Sequence, residues 1–309
     1  MTPQALNVAV LGPGAVGGFL AAVLAREGSS VLVLASDDAS SAITQSGLRV
    51  ESQRFGNFAV SVRTATRLTD SVDACLIAVK ATHLRDAVDR VPANALGAAL
   101  AIPFLNGIEH VDFLRAVYPP SSVVAATIRI ETARAAPGLI RQTSPFASVE
   151  IAASADNRDR VEAIAAHLSG SGLDVRIRDD ELPMLWDKFA VLAPMALLTT
   201  HERANVGAIR TTRREDAIAL IGEVVAVAGA DGVDIDREAV LHLLDSVPES
   251  MESSMQRDQA AGRPIELDAL GGALLRRAAR AGIAVPVTRR LVGELQSRSG
   301  HPAPAGSQS

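Results

Sequence analysis

The stretch "NVAVLGPGAVGGFLAAVLA", residues 7–25, decides the reading of the N-terminal half. Val8 to Leu11 is a short apolar run of the kind that forms a buried strand. Gly12, Gly14 and Gly17 then spell G-x-G-x-x-G, and Val16, Phe19, Leu20, Val23 and Leu24 follow at helical spacing. Strand, glycine turn and helix together form the dinucleotide-binding context. Gly12 permits the tight turn, Gly14 admits a pyrophosphate, and Gly17 lets the helix approach the strand. Pro13, Ala15 and Val16 complete the loop, where the helix N-terminus presents unpaired N–H groups to phosphate. A secretory leader is the other reading. It needs a basic start and an unbroken apolar core, but no Lys or Arg precedes Arg26, and Gly12-Pro13-Gly14 cuts the run.

Working outward, Val31–Leu34, Ala74–Val79, Ala99–Phe104 and Ser122–Ala126 read as further strands. Helices are expected from about Thr82 and Glu109. Alternating strands and helices predict a parallel, doubly wound sheet. The segment around Gly56-Asn57 reads as a hairpin-like insertion, and "ETARAAPGLIRQTSPFASVEIAA" is expected to add antiparallel strands to the sheet. A helix over "RVEAIAAHLSGSG" and a strand over "LDVRIRD" close this half. From Pro183 onward the pattern is helical, with stops at Gly232 and Gly282. The expected fold class is therefore α/β: a Rossmann-type doubly wound sheet over residues 1–180, an all-α domain over 181–298, and a disordered tail over 299–309.

The 309-residue chain is 48% hydrophobic and 21% charged with net charge −5, which disfavours nucleic acid as a partner. The single cysteine, Cys75, sits in an apolar run and reads as a structural thiol. The histidines show no metal-ligand spacing, so no metal is expected. No apolar run free of charges and glycines is long enough to span a membrane, so no membrane partner is expected and the cytoplasm is the default location. Trp186 reads as core packing. A nucleotide domain followed by a helical one predicts a cleft between them for a small substrate; His83, His110, His167, His201 and His242 read as surface or satisfied side chains, with His201 closest to that cleft. Arg276, Arg277 and Arg280 read as a solvated helix face or a dimer contact.

Four further motifs, in order, carry a resemblance: "IAVKATHLRDAV" ending its strand at Lys80, "FLNGIEH" with Asn106-Gly107, "LWDKFAVLAPMALLT" with Lys188, and "SSMQRDQAAGRPIELDALGG" with Ser254 and Glu266. With the glycine loop they make the chain similar to the ketopantoate reductase family over nearly its whole length. The resemblance implies hydride transfer from a nicotinamide to a 2-oxo acid carbonyl, most simply 2-dehydropantoate to pantoate. It implies that Lys188 stabilises the developing oxyanion and donates the proton, and that Glu266 lies near Lys188 and a cofactor ribose. Asn106 would contact substrate and nicotinamide, and Ser254 the substrate carboxylate. The glycine loop, Ser36, Lys80, Asn106 and Glu266 would form the cofactor site. The family's members are often dimers, so a homodimer is compatible with the resemblance. For the same residues, ordinary structural roles stand beside these: a turn at Asn106-Gly107, a helix start at Ser254, and a surface lysine whose stem covers apolar neighbours at Lys188.

Two departures bear on substrate and cofactor. The family carries asparagines one and two turns beyond the lysine, where this chain has Leu192 and Ala196. A pocket that loses such hydrogen-bonding groups no longer selects for a hydroxyl, so another, more apolar 2-oxo acid or ketone stands as an alternative. A third family asparagine falls at Val206, next to Asn205. Ser36 stands where the family has the arginine that binds the 2′-phosphate of NADPH, and Asp37-Asp38 follow it. An acidic residue there suits the ribose hydroxyls of NADH, so NADP(H) is implied by the resemblance while NAD(H) stays open. A helix cap with an acidic first turn is the structural reading of the same residues. A nucleotide-binding paralogue without activity is the remaining alternative, opposed by the retention of Lys188, Ser254 and Glu266.

Overall fold

Strand β1 (Asn7–Leu11) runs into the glycine turn and helix α1 (Ala15–Arg26). The computed structural model describes residues 6–299, so the expected tail lies outside the described residues apart from the backbone of Ser299. After α1 come β2 (Ser30–Leu34), α2 (Asp37–Ser46), β3 (Leu48–Ser52), β4 (Phe58–Val60), β5 (Arg63–Ala65) and β6 (Ala74–Ile77). Then follow α3 (Leu84–Ala87), α4 (Ala93–Leu96), β7 (Leu100–Pro103), α5 (His110–Val117), β8 (Ala126–Ala136), β9 (Leu139–Ala152), α6 (Arg158–Gly170) and β10 (Asp174–Arg178). The rest is helical: α7 (Glu181–Glu202), α8 (Val206–Thr212), α9 (Arg214–Ala230), α10 (Arg237–Ser246), α11 (Ser254–Ala260), α12 (Ala273–Ala281) and α13 (Pro286–Ser299).

The described residues form two compact units. The first runs through Leu105 and resumes at Glu109–Leu185; the second is Asn106–Ile108 with the chain from Trp186 onward. The division falls inside α7, and three residues following β7 belong with the helices.

In the first unit, β5-β2-β1-β6-β7 form a five-stranded sheet, every pair parallel. This is the Rossmann-like sheet, and its order reverses at β1, beside β6. Residues Val8–Leu11 are buried along the strand, as a sheet covered on both faces requires. The antiparallel strands expected to extend this sheet instead build a second one: β10-β9-β3-β4, with β8 paired to β9. Only Val123 of the expected strand at Ser122–Ala126 bridges to the first sheet, at Ala101. From Ala126 the backbone is taken up by β9 instead, in register Ala126↔Ile151. The helix expected from Thr82 is broken into α3 between two 3₁₀ turns, since little chain separates Lys80 from Pro92. Helix α1 packs against β2 and also against β3, β8 and β9. That explains why Phe19 to Leu24 are all buried rather than lying on one face.

The second sheet carries a charged cluster. Glu150 accepts from Arg129 Nη1 at 2.7 Å and Arg178 Nη1 at 3.0 Å, and Arg178 also grips Asp180 with two bonds of 2.6 and 2.7 Å. Burial pushes the Glu150 carboxyl up, but the two guanidinium groups outweigh it and hold its pKa below the ordinary glutamate range. A carboxyl depressed in the folded state stabilises the fold above its unfolded pKa and loses that contribution as pH falls through the folded value. Glu150→Gln should therefore cost roughly 2 kcal/mol near pH 7, because two partly buried guanidinium groups lose the carboxylate charge they share, although Arg178 keeps Asp180. Denaturant titrations of wild type and variant should converge only once the pH has fallen below the ordinary glutamate range, where the folded Glu150 carboxyl takes up its proton. A gap independent of pH would show that the charge of Glu150 is not what holds this cluster.

In the second unit, Glu223 of α9 is buried and caps the start of α13. It accepts from Val287 N at 2.7 Å, Thr288 N at 2.8 Å and Thr288 Oγ1 at 2.6 Å, so the orphan N–H groups of one helix are satisfied by a carboxylate from another. Helix α7, of 22 residues, is long and apolar enough to cross a membrane, with a mean hydropathy of 1.3, but 61% of that window is buried in the protein, as in a core helix.

Candidate active site

The glycine loop is shaped by its own packing. Gly12 has φ +91°, a conformation L side chains rarely adopt, and a Cβ there would come within 2.5 Å of Val79 Cγ1. A Cβ on Gly17 would overlap the carbonyl oxygen of Gly12. Gly14 differs: its φ is −72°, and an added Cβ would meet only Ala78 O, at 3.9 Å. The protein itself places no demand on glycine at 14. The requirement fits a group approaching from outside, which is what a pyrophosphate at this turn does. No side chain caps α1, and no acidic residue lies in its first turn. Pro13, Ala15 and Val16 are partly buried. The loop lies at the carboxyl ends of β1 and β6, where the strand order reverses. These residues fit a dinucleotide.

Nearby, Ser36 is the exposed N-cap of α2. Its hydroxyl makes no capping bond, and Asp37 and Asp38 stand exposed in the first turn. Lys80 caps the 3₁₀ turn after β6 and is partly buried. Cys75 is fully buried in β6, and burial pushes its thiol up to about 12, consistent with a packing role.

In the second unit, Asn106 Nδ2 donates to Glu266 Oε2 at 3.1 Å, joining two motif residues 160 positions apart. Glu266 is 7% exposed. Gly107 has φ +96°, and a Cβ on it would press to 2.7 Å from Ala269 O, so the backbone beside Asn106 must be glycine. Glu266 lies two residues before a π-turn at Asp268–Gly272, an irregularity often found at functional sites.

Lys188 lies on α7, partly buried. Leu192 and Ala196 follow it one and two turns on, along the same face; Leu192 is partly buried and Ala196 fully. Thr199 continues that face, and its Oγ1 is 2.8 Å from Ser253 Oγ. Ser253 is the residue that caps α11, accepting from Gln256 N, whereas Ser254 is the first helical residue and is exposed. The structural alternative at Ser254, a solvated helix start, matches its place as the exposed first residue of α11, while the capping bond itself comes from the buried Ser253.

Other side chains also take structural roles. Trp186 Nε1 donates to Asp231 Oδ2 at 3.2 Å, and Arg277 pairs with the same carboxylate while lying 5.8 Å over the Trp186 ring. Arg277 is thus packed rather than part of a solvated face. His201 is buried between Glu202, 2.7 Å from its Nδ1, and Glu294. Asn205 caps α8, and Val206 is fully buried. Among the described residues, no group of three or more His, Cys, Asp or Glu is arranged to hold a metal ion.

The family profile "Ketopantoate reductase PanE/ApbA" matches residues 8–156, and its C-terminal counterpart matches residues 181–299. The chain is 30% identical to the 2-dehydropantoate 2-reductase of Mycobacterium tuberculosis (strain H37Rv), covering 97% of this chain and 100% of the relative. The crystal structure of a PanE/ApbA family ketopantoate reductase from Ralstonia eutropha JMP134 superimposes with a TM-score of 0.85 at 28% identity, over 96% of this chain and 100% of the other. A D-mandelate dehydrogenase solved with NADH and anilino(oxo)acetate has the same fold, with a TM-score of 0.87 at 21% identity over 95% and 98% of the two chains. The parallel sheet behind the glycine turn and the all-helical C-terminal half agree with these matches: the chain belongs to the ketopantoate reductase family of oxidoreductases.

Proposed function

We propose that this protein uses a nicotinamide dinucleotide, NADPH by family, to reduce a 2-oxo acid to the 2-hydroxy acid, with 2-dehydropantoate as the leading substrate. In this reading residues 1–180 bind the dinucleotide and residues 181–298 the substrate. The observation that carries it is the buried Glu266 carboxylate receiving the Asn106 amide, which holds two polar motif residues in one fixed geometry. When bound, the dinucleotide supplies the hydride. Lys188 stabilises the negative charge on the substrate carbonyl oxygen and donates the proton. Ser254 donates its hydroxyl to the substrate carboxylate. Asn106, oriented by Glu266, contacts substrate and nicotinamide.

A second reading keeps this chemistry and changes the substrate. Leu192 and Ala196, on the Lys188 face of α7, offer no hydrogen bond to a substrate hydroxyl. That favours a 2-oxo acid or ketone whose side chain is apolar. Titration with NADPH and NADH by cofactor fluorescence, followed by oxidation of the bound cofactor with ketopantoate, separates the two. Turnover with ketopantoate supports the first. Cofactor binding without ketopantoate turnover, and turnover with a branched or aryl 2-oxo acid, supports the second. Binding of neither cofactor would overturn both.

A further inference from the structure

Ser36 leaves the adenosine end of the cofactor site without the arginine that this family places there, yet the fold brings another to the same edge. Arg90 follows α3 in the second 3₁₀ turn, far from Ser36 in sequence. Its Nη1 donates to Ala35 O at 2.9 Å and to Thr66 O at 3.0 Å. Those carbonyls directly follow the carboxyl ends of β2 and β5, and Ala35 is the residue before Ser36. The main chain of Arg90 is tied as well: its carbonyl accepts from Leu68 N at 2.7 Å, and Leu68 is fully buried. The guanidinium is partly buried and held in place before any ligand arrives. Nη1 is used by the two carbonyls, while Nη2 and Nε make no hydrogen bond to the described residues.

We propose that Arg90, together with the Ser36 hydroxyl, recognises the 2′-phosphate of the dinucleotide and sets the preference for NADPH over NADH. A fixed guanidinium suits this task because its planar donors match phosphate oxygens and its charge does not titrate. The Ser36 hydroxyl, unused by the α2 cap, is free to donate to the same phosphate. Asp37 and Asp38 oppose it, but both are exposed and their charges are screened by water and salt. Sequence spacing alone points to these aspartates and to NADH; the folded chain adds a cation that spacing does not reveal. The inference rests on the dinucleotide reading of the loop between β1 and α1.

The test uses the adenosine half of the cofactor, so no turnover is required. The probes are adenosine 2′,5′-bisphosphate and 5′-AMP, titrated calorimetrically into the full-length protein. Wild type should bind the bisphosphate roughly tenfold or more tightly than 5′-AMP, as charge-assisted bonds to one phosphate imply. Arg90→Ala should erase that preference while leaving 5′-AMP affinity intact, and NADPH affinity should fall with NADH affinity unchanged. Should Arg90→Ala fold poorly, Arg90→Gln keeps a donor for the carbonyls without the charge and should give the same loss. Ser36→Arg in the Arg90→Ala background should restore the preference. Equal binding of both probes by wild type, or a parallel loss of both in the Arg90 variants, would overturn the role of Arg90 alone. Failure of wild type to bind either probe would overturn the dinucleotide site, and this inference with it.

Discussion

Lys188→Ala should lower kcat by roughly two to four orders of magnitude while leaving NADPH and NADH dissociation constants within about twofold of wild type. The ammonium group is expected to act on charge that exists only as the carbonyl is reduced. An interaction made only in the transition state lowers kcat and kcat/KM together and leaves ground-state binding alone. The position supports a clean substitution, since Lys188 is partly buried on a helix whose packing is carried by Trp186, Phe189, Ala193, Ala196 and Leu197. Alanine is also the best helix former. Steady-state kinetics with the substrate found in the titration, beside fluorescence binding of both cofactors, checks the split. Unchanged turnover would remove Lys188 from the reaction. A parallel loss of cofactor affinity would show a structural lysine instead.

The second large effect separates two glycines three residues apart. Gly17→Ala forces a Cβ into the carbonyl oxygen of Gly12, and α1 is fixed between two sheets with no room to retreat. The expected cost is about 3 kcal/mol or more of stability, read as a lower denaturation midpoint, because overpacking a closed core displaces backbone. Gly14→Ala should change stability by less than about 1 kcal/mol, since its φ suits alanine and its neighbour stands at ordinary contact distance. Dinucleotide affinity should nevertheless fall by at least about tenfold, because the methyl occupies the space through which a pyrophosphate approaches the backbone. A Gly14→Ala protein that binds cofactor normally would show that this turn is structural. Denaturation curves and cofactor titrations on the two variants give the answer together.

The sequence made some of this architecture legible and hid the rest for identifiable reasons. The β1–turn–α1 unit was readable because strand, turn and helix each leave a local signal within 20 residues. The helical half was readable because α7 and α9 are long and the short α12 has a clear apolar face. The second sheet was not, because alternation shows that a segment is a strand and says nothing about which partner it finds; Ala126 could have joined either sheet. The break in the helix after Lys80 and the cap from Glu223 to α13 depend on tertiary neighbours. At the candidate site, Asn106, Lys188 and Glu266 stand in motifs and could be singled out by type. Ser253 and Arg90 could not: one differs from Ser254 only in burial, and the other acquires its position from carbonyls 55 and 24 residues away.

The three residues Asn106–Ile108 carry one more consequence. They belong with the helices although they lie in the first half of the gene, so no single cut divides this protein into modules. A fragment beginning near residue 181 keeps Glu266 but lacks the amide that holds it. Recombination that exchanged helical halves between relatives would separate that pair at every crossover near the middle of the chain. A chimera that is to keep this hydrogen bond must carry the Asn106–Ile108 segment along with the helical unit that holds Glu266.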